Sequence, residues 1–578
     1  LPALHAVQDR VGWVSRGALE YVCRRLSVPP AEAWGIVTFY HLIATEPRPP
    51  IVAHVCDDLA CRLGGSGELC AELERTLGPE GAPSADGRAA WRRSPCLGRC
   101  EKAPAVWVTS AGEIRRNAIV APADDADAVA RAIDGDSTDA LPDGVHRLAV
   151  VRASVPQAGS DDLRLLARVG VVDPTSFDAY RSSGGYRALA RALELGPEGV
   201  IAEVVASKLV GRGGAAFPTG RKWRAVADAR ETTRYLVCNA DESEPGTFKD
   251  RVLLEEDPFA IVEAMTIAAY ACGCERGFVY LRGEYPEAER RLGMAIAAAR
   301  GAGLLGGDVA GAGFRFDVEI RRGGGAYICG EETALFNSIE GYRGEPRSKP
   351  PFPVEVGLFG KPTLVNNVET LASVPSIVLG GGAAFAAIGS GGSTGTKLFC
   401  LSGRVERPGL YEVPFGATLG QLLELAGGVV AGGEPHAVLL GGAAGAFVGP
   451  EALSIPLTFE GTRAAGATLG SGVVMVFDRA SDLVDALVAI ASFFRHESCG
   501  QCVPCRVGTV RQLEMLERLR ADAPNVSLAE ELESYRELAQ AMRDASICGL
   551  GQTAVTAIES AFARFAPFGV ADAAGGKG

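Results

Sequence analysis

Four cysteines near the C-terminal end of the sequence have the spacing of an iron–sulfur ligand set. Cys499, Cys502 and Cys505 follow the pattern C-x2-C-x2-C, and Cys548 comes after 42 intervening residues. Three thiolates within seven residues can bind three corners of a cubane, and a thiolate from another segment completes it. Structural zinc sites more often take two thiolates from each of two segments, or include histidine. The spacing therefore predicts a [4Fe–4S] cluster, with zinc as the alternative.

A second cysteine set near the N-terminus is spaced differently. Four residues separate Cys56 from Cys61, and three separate Cys96 from Cys100. Two loops that each provide two thiolates suit the two irons of a [2Fe–2S] cluster, and a four-residue gap is wide for a zinc knuckle. Cys70 could substitute as a ligand, but it falls on the apolar side of a predicted helix, so we interpret it as a core residue.

A glycine-rich segment, residues 211–223 with the sequence GRGGAAFPTGRKW, is called here the first glycine loop. Its backbone amides can approach a phosphate closely, and Arg212, Arg221 and Lys222 add positive charge. The segment contains the G-x-G-x-x-A pattern of a dinucleotide-binding turn, but Pro218 should obstruct the helix that opens directly after such a turn. We therefore expect a phosphate-binding loop that differs from a standard Rossmann turn, with a flexible turn as the alternative.

Three further segments offer polar groups to the same cofactor. The acidic turn, residues 239–246, carries an amide and three carboxylates: Asn239, Asp241, Glu242 and Glu244. A second glycine loop covers residues 323–332, and Asn366–Asn367 provides two more amides. A solvated acidic turn is the simplest interpretation of the first segment, but ribose hydroxyls and a flavin ring both need such acceptors and donors around a phosphate site. Together these segments predict a cofactor site.

Composition and charge exclude several classes of function. The formal net charge of −13 over 578 residues should repel nucleic-acid phosphates and an anionic membrane face. The longest candidate for an apolar span, residues 371–390, is interrupted by Pro375 and three consecutive glycines. We therefore expect no nucleic-acid partner and no membrane insertion.

The cysteine content also bears on location. Fifteen is an odd number for full disulfide pairing, and eight of the fifteen fall into the two sets. This distribution favours a reducing compartment, so we expect a cytoplasmic protein. The sequence begins at Leu1 within helical periodicity, and we expect an N-terminal portion, with any targeting signal, to be missing.

The periodicity along the chain predicts a multidomain α/β protein. We expect a helical bundle over residues 1–48 and an α/β sandwich domain over 49–133, followed by a polar linker over 134–145. An α/β cofactor domain should cover residues 146–385, a small β-rich domain residues 394–480, and a C-terminal helical bundle with the second cysteine set residues 481–570.

These motifs resemble a known family. Residues 206–567 are similar to the NADH-binding flavoprotein subunit of respiratory complex I and its soluble relatives, and residues 1–125 resemble the small [2Fe–2S] partner subunit with its thioredoxin-like fold. The motifs that carry the first resemblance are the first glycine loop and residues 239–251, 282–286, 326–333, 347–353, 366–370 and 497–508. Fusion of both parts in one chain resembles the β subunit of NAD-dependent molybdenum or tungsten formate dehydrogenases and the diaphorase subunit of NAD-reducing hydrogenases.

The resemblance implies domain identities, a partner and residue roles. The cofactor domain would be Rossmann-like and bind FMN and NAD(H), and the β-rich domain would be a β-grasp. The first candidate partner would be the α subunit of a formate dehydrogenase, and the second would be hydrogenase subunits. Carried over by motif, Glu244 and Glu332 would be catalytic. The cofactor-binding residues would be Gly211, Arg212, Gly213, Gly214, Phe217, Lys222, Asn239, Asp241, Glu242, Glu244, Tyr327, Gly330, Glu331, Glu332, Lys349, Phe352, Asn366 and Asn367. Ala216 and Ala225 replace a glycine and an aromatic residue that are common in the family.

The implied chemistry is electron transfer. NADH delivers two electrons as hydride and an iron–sulfur cluster accepts one, so a flavin must lie between them. The expected route runs from NADH through FMN and the Cys499-set cluster to a partner subunit, and it is reversible. A cluster-bearing electron wire without flavin and a zinc-stabilised binding protein are the alternatives.

Overall fold

The computed structural model describes residues 1–135, 145–523 and 526–568, without the side chains of residues 145–147. The predicted linker over 134–145 falls mainly on residues 136–144, which lie outside the described ranges. Within those ranges the chain forms helices α1–α24 and strands β1–β15, and short 3-10 turns connect several of them.

The N-terminal part begins with three helices and continues as a four-stranded sheet with helices. Ser15 caps the second helix by accepting a hydrogen bond from the Ala18 N–H. The sheet has the order β2-β1-β3-β4, with β1 parallel to β2 and the other pairs antiparallel. The elements are α1 (Pro2–Val11), α2 (Arg16–Leu26), α3 (Pro30–Val37), β1 (Ile51–Cys56), α4 (Leu59–Leu63), α5 (Ser66–Leu77), β2 (Ala89–Ser94), β3 (Val106–Ser110), β4 (Arg116–Val120) and α6 (Ala126–Asp134).

The central part is a parallel sheet covered by helices. Its order is β7-β6-β5-β8, and all neighbouring pairs are parallel. Parallel sheets are normally covered by helices on both faces. Helix α12 is accordingly almost completely buried. Its elements are α7 (Val145–Arg152), α8 (Phe177–Ser182), α9 (Arg187–Ala206), α10 (Thr219–Ala227), β5 (Tyr235–Ala240), α11 (Lys249–Glu256), α12 (Pro258–Cys272), β6 (Arg276–Leu281), α13 (Pro286–Gly301), β7 (Asp317–Arg322), α14 (Glu332–Glu340), β8 (Thr363–Asn367), α15 (Val368–Ala372), α16 (Val374–Gly380) and α17 (Gly382–Ala386).

A small β-rich unit follows. Its five-stranded sheet has the order β12-β11-β15-β13-β14, in which β11 and β15 are parallel, and it has an apolar core of its own. Its elements are β9 (Gly389–Ser390), β10 (Ser393–Thr394), β11 (Thr396–Gly403), β12 (Gly409–Pro414), α18 (Leu419–Leu425), β13 (Ala437–Leu440), β14 (Ala446–Val448), α19 (Phe459–Ala464) and β15 (Val473–Phe477).

The C-terminal part is helical. Cys499 and Cys502 lie between its first two helices, Cys505 lies in the first turn of the second, and Cys548 is the N-cap of a short helix. The helices are α20 (Leu483–Glu497), α21 (Val503–Arg520), α22 (Leu528–Ala545), α23 (Gly549–Thr553) and α24 (Thr556–Phe565). No helix in the described part of the chain is long and apolar enough to cross a membrane.

One continuous apolar core joins these parts. It includes side chains from the N-terminal helices, such as Val37, from the parallel sheet, such as Val237, and from the C-terminal helices, such as Leu516. The cysteine sets and cofactor loops are therefore positioned on elements that pack against one another.

Candidate functional site

The N-terminal cysteine set converges on a buried place at the end of β1. Cys56 ends that strand, Cys61 lies in α4, and Cys96 and Cys100 lie in the loop after β2. All four thiols are buried, and the Sγ atoms of Cys96 and Cys100 are 3.4 Å apart. Hydrogen bonds with Cys61 and Cys96 raise the pKa of Cys56, whereas those from Cys100 and Cys56 lower the pKa of Cys96. Cys70 instead packs in a separate apolar core.

The C-terminal set is closer to the surface. Cys505 is buried and Cys499, Cys502 and Cys548 are half-buried. Burial raises the pKa of Cys505 to about 12, with the neighbouring cysteines contributing. A side chain at position 551 would not fit, because a Cβ on Gly551 would lie 2.8 Å from the Cβ of Cys505. The cysteines of this set are more accessible from outside the chain than those of the first set.

Both cysteine sets offer four free thiols, the donor set that an iron–sulfur cluster takes.

The first glycine loop connects α9 to α10. The Gly211 N–H donates to the Phe217 carbonyl, which closes the loop, and Ala216 has a left-handed φ of 50°, at the position where the family commonly has glycine. The expectation that Pro218 obstructs a following helix is wrong: α10 begins at Thr219, and Pro218 is its N-cap with φ −59°. The loop nevertheless differs from a Rossmann turn, because a helix rather than a strand precedes it.

The three predicted cations of this loop have different surroundings. The Arg212 guanidinium is buried; it donates to the Thr394 carbonyl at 2.7 Å and stacks 4.7 Å from the Phe415 ring centroid. Arg212 therefore contacts the β-rich unit. Lys222 remains partly exposed, with Nζ 3.3 Å from Oε2 of Glu332, and Arg221 is exposed, which leaves these two as the cations able to meet a phosphate.

The acidic turn and the second glycine loop meet at the end of β5. The Asn239 amide donates to the Gly330 carbonyl at 2.8 Å. Oδ2 of Asp241 is buried without a hydrogen-bond partner, and burial raises the pKa of this carboxyl well above its usual range. A Cβ at Gly330 would lie 3.6 Å from that oxygen. An unsatisfied buried acceptor beside a side-chain-free position fits a ligand that donates a hydrogen bond, as the N–H group of a flavin ring does.

Two glutamates of the acidic turn have structural partners. Both carboxylate oxygens of Glu242 accept backbone hydrogen bonds, from Asp250 and Arg251, at the start of α11. The Glu244 carboxylate accepts one from the Tyr327 hydroxyl and one from the Ala444 N–H. The structure thus uses the Glu242 carboxylate to cap the start of α11, and its role as a cofactor ligand stays a prediction.

The remaining predicted residues divide between an open rim and internal contacts. Phe217 and Phe352 are about half exposed, at 48% and 53%, as side chains that receive a nucleotide would be. Lys349 lies 2.7 Å from Oε1 of Glu331 and 3.7 Å from Glu332. The side chains of Asn366 and Asn367 are internal: Trp223 donates to the first, and the second donates to Asp250. Gly213 and Gly214 lie exposed in the loop.

Sequence reasoning missed the buried charges that support the site. Arg251 and Arg282 contact the loop of the N-terminal cysteine set, and Lys249, Glu369 and Lys397 form a buried ion cluster. Their roles depend on contacts between segments far apart in the chain. One part of the sequence pointed to these residues. Residues 282–286, which include Arg282, form one of the motifs that resemble the family, but the motif does not reveal what Arg282 contacts.

Both cysteine sets and the glycine-lined site with its unsatisfied carboxylate lie in segments that match known protein families. Four family models match: the thioredoxin-like [2Fe-2S] ferredoxin over residues 1–117, the Nuo51 FMN-binding domain over 204–376, the SLBB domain over 398–442, and the NADH-ubiquinone oxidoreductase-F iron-sulfur binding region over 485–568.

Whole-protein comparisons agree. The chain is 46% identical over 403 residues to an F-type NADH-quinone oxidoreductase subunit of Rhizobium meliloti, covering 69% of this chain and 95% of that protein. It is 43% identical to the NADP-reducing hydrogenase subunit HndC of Solidesulfovibrio fructosivorans, covering 70% and 82%. A chain in the crystal structure of an air-oxidized NAD+-reducing [NiFe]-hydrogenase superposes with a TM-score of 0.80 at 34% identity, covering 98% of this chain and 92% of that one.

The chain belongs to the family of F-type NADH-quinone oxidoreductase subunits. It is an NAD-dependent oxidoreductase subunit that passes electrons between NAD(H), FMN, a [4Fe–4S] and a [2Fe–2S] cluster and a larger multi-subunit complex. The predicted family, multidomain α/β fold and cofactors are confirmed, and the flavin-free and zinc alternatives are not supported.

Proposed function

We propose that this chain is the cytoplasmic NAD(H)-reactive subunit of a formate dehydrogenase, in which it exchanges electrons with a molybdenum- or tungsten-containing subunit. One observation carries the electron-transfer part: the acidic turn contacts the second glycine loop at Gly330, and Arg282 links the same turn to the N-terminal cysteine set through the carbonyls of Glu242 and Cys96. None of the fifteen cysteines, all in the described ranges, forms a disulfide, which supports a reducing compartment.

Each site residue has a proposed task. Lys222 binds the FMN phosphate together with amides of the first glycine loop, and Asp241 accepts a hydrogen bond from the flavin ring. Phe217 and Phe352 flank the nucleotide, and Glu244 and Glu332 border it. The flavin accepts a hydride and returns electrons singly; the chain positions the reactants and excludes water, and no side chain needs to move a proton in this scheme.

The half-buried Cys499 set is the proposed exit to the partner. Val503 and Ile547, next to two of its cysteines, are 58% and 42% exposed. Exposed apolar side chains beside a redox centre suit a protein contact that shortens the distance between two clusters. The buried Cys56 set has no comparable opening in the geometry described above.

A second partner has its own support. The relative with the solved structure cited above is a chain of an NAD+-reducing [NiFe]-hydrogenase, and it matches 98% of this chain. A hydrogenase subunit is therefore the second candidate partner. Purifying the native complex by a tag on this chain, then measuring molybdenum, tungsten and nickel, distinguishes them. Formate-dependent NAD+ reduction supports the first candidate, and hydrogen-dependent reduction overturns it in favour of the second.

The shared part of the proposal has a separate test. Anaerobic NADH should bleach the flavin absorbance of the purified complex and then produce the signals of reduced iron–sulfur clusters in electron paramagnetic resonance (EPR). Flavin that stays oxidised in excess NADH would contradict the proposed site, whichever partner is present.

A further inference from the structure

Two buried arginines from the parallel-sheet part hold the loop of the N-terminal cysteine set. Arg251 donates from Nε to the Gly98 carbonyl at 2.9 Å and from its terminal nitrogen to Glu101 at 2.5 Å. Arg282 donates to the carbonyl of Cys96 at 2.6 Å. Both side chains are only 2–3% exposed, so their positions are set by these contacts.

Unlike Arg251, Arg282 also donates a hydrogen bond from its guanidinium to the acidic turn. Its other terminal nitrogen donates to the Glu242 carbonyl at 2.5 Å. One planar group thus bridges a backbone oxygen of the turn and a backbone oxygen of a cluster cysteine. A guanidinium can hold two such acceptors in a fixed geometry, which the single ammonium of lysine cannot reproduce.

The same turn lies beside that cysteine. The Gly246 N–H is one of the groups that lower the pKa of the Cys96 thiol, after the hydrogen bonds with Cys100 and Cys56. Gly246 has a φ of +95°, and a Cβ there would lie 2.7 Å from Cγ1 of Val473, so the backbone path depends on the missing side chain. The position of this N–H relative to Cys96 is therefore sensitive to where the acidic turn lies.

The turn also carries groups that face the cofactor site. Asp241 is its unsatisfied buried acceptor, and Glu244 is hydrogen-bonded to Tyr327 of the second glycine loop. A nucleotide that contacts these side chains acts on the segment that Arg282 links to Cys96. The reduced cluster carries one more negative charge than the oxidised cluster, so an N–H donor and a nearby cation both raise its reduction potential.

We propose that Arg282 is a positioning residue that couples occupancy of the nucleotide site to the reduction potential of the [2Fe–2S] cluster, by fixing the acidic turn against Cys96. This inference rests on the proposed function and on the prediction that the Cys56 set binds the [2Fe–2S] cluster. The part that the [2Fe–2S] cluster plays in electron transfer then depends on whether a nucleotide is bound.

The test is a redox titration of the purified complex, in which EPR follows the [2Fe–2S] signal with and without ADP-ribose. ADP-ribose contains the adenosine diphosphate half of NAD but cannot accept a hydride, and its saturation is judged by inhibition of NADH oxidation. The wild-type midpoint potential should shift when ADP-ribose binds. An unchanged wild-type potential overturns the proposal without any variant.

Two matched variants locate the effect. Arg282→Lys should have a more negative midpoint potential and lose the ADP-ribose shift, whereas Arg251→Lys, which disturbs the same cluster loop without releasing the turn, should keep it. A shift of wild-type size in Arg282→Lys overturns the proposal. Iron, sulfide and EPR amplitude are measured in each sample, and a wild-type complex without the [2Fe–2S] signal contradicts the ligand assignment instead.

Discussion

The Tyr327 hydroxyl donates a 2.6 Å hydrogen bond to Oε2 of Glu244. This contact joins the second glycine loop to the acidic turn. The other carboxylate oxygen of Glu244 accepts a hydrogen bond from the Ala444 N–H of the β-rich unit. Burial raises the pKa of Glu244 to about 7, although these hydrogen bonds oppose the rise. The carboxyl is therefore charged above about pH 7 and increasingly neutral below it.

We predict that Glu244 disfavours NADPH and does so in a pH-dependent way. A carboxylate near a 2′-phosphate costs binding energy, and it is present only above the raised pKa. The ratio of kcat/KM for NADPH to that for NADH should be lower at about pH 8 than at about pH 6 in the wild type. In Glu244→Gln this ratio should rise by about tenfold at pH 8, equivalent to ~1.4 kcal/mol.

Steady-state kinetics with both nucleotides measure the effect. Glu231→Gln, at an exposed glutamate paired with Lys361, is the control and should leave the ratio as it is. An equal ratio in wild type and Glu244→Gln at pH 8 would rule out this role for Glu244.

Cys548→Ser should remove the [4Fe–4S] cluster and spare the [2Fe–2S] cluster. Iron should fall from about six to about two atoms per chain, while NADH should still bleach the flavin, because Cys548 lies outside the cofactor loops. Cys70→Ala is the matched control, since Cys70 is a buried cysteine in a separate core. Colorimetric iron and sulfide determination checks both variants; full iron content in Cys548→Ser would show the ligand assignment to be wrong.

Replacing Lys222 by alanine should affect FMN binding, whereas replacing Arg212 by alanine should affect stability. Lys222→Ala should release FMN from a folded chain, because Lys222 is a partly exposed cation of the loop, with Nζ near Glu332 of the second glycine loop. Arg212→Ala should primarily destabilise the chain, by about 3 kcal/mol, since it removes buried charged hydrogen bonds to the β-rich unit. The FMN-to-protein ratio after heat release and thermal melting separate the two; equal FMN loss at an unchanged melting temperature in both would refute the distinction.

Glu369 should be essential for stability. It is fully buried, with Oε2 3.1 Å from Nζ of Lys249 and 3.6 Å from Nζ of Lys397. Glu369→Gln leaves two buried ammonium groups facing an uncharged amide, so the free energy of unfolding should fall by about 3–5 kcal/mol. Glu424→Gln, on the exposed side of α18, is the control and should change stability little.

The same glutamate predicts a direction with pH. Burial alone would raise the pKa of Glu369, but Lys397 and Lys249 hold it below its usual range. A depressed carboxyl pKa contributes stability above the unfolded value near 4.5, and that contribution is lost as the pH falls through the folded value. Chemical denaturation should show wild type converging on Glu369→Gln in acid; a constant difference between them from pH 7 down to about pH 3 would contradict the ion cluster.

The sequence predicted those parts of the site that depend on spacing within one segment. The C-x2-C-x2-C run at Cys499 constrains its own geometry, so a cluster could be inferred before any fold was known. The direction of a long side chain depends on other segments instead: Arg212 was predicted to face a phosphate, yet it reaches Thr394, which is 182 residues away.

Local sequence patterns also did not predict how two residues, Pro218 and Glu242, contribute to the starts of helices. Pro218 was expected to block a helix, but a proline at an N-cap needs no N–H and has a suitable φ. The Glu242 carboxylate accepts hydrogen bonds at the start of α11, a contact that its place in the acidic turn does not predict. In both cases the missing information was the position of the next helix.

The contacts between the N-terminal helices and the parallel-sheet part have a further consequence. Tyr40 donates to Ser338, and Arg322 donates to Asp9, across a boundary that separates two subunits in the family that the sequence resembles. Within one polypeptide this association is intramolecular, so its strength is independent of protein concentration. Because both parts are translated from one message, they are present in a one-to-one ratio. Dilution does not separate the two redox centres.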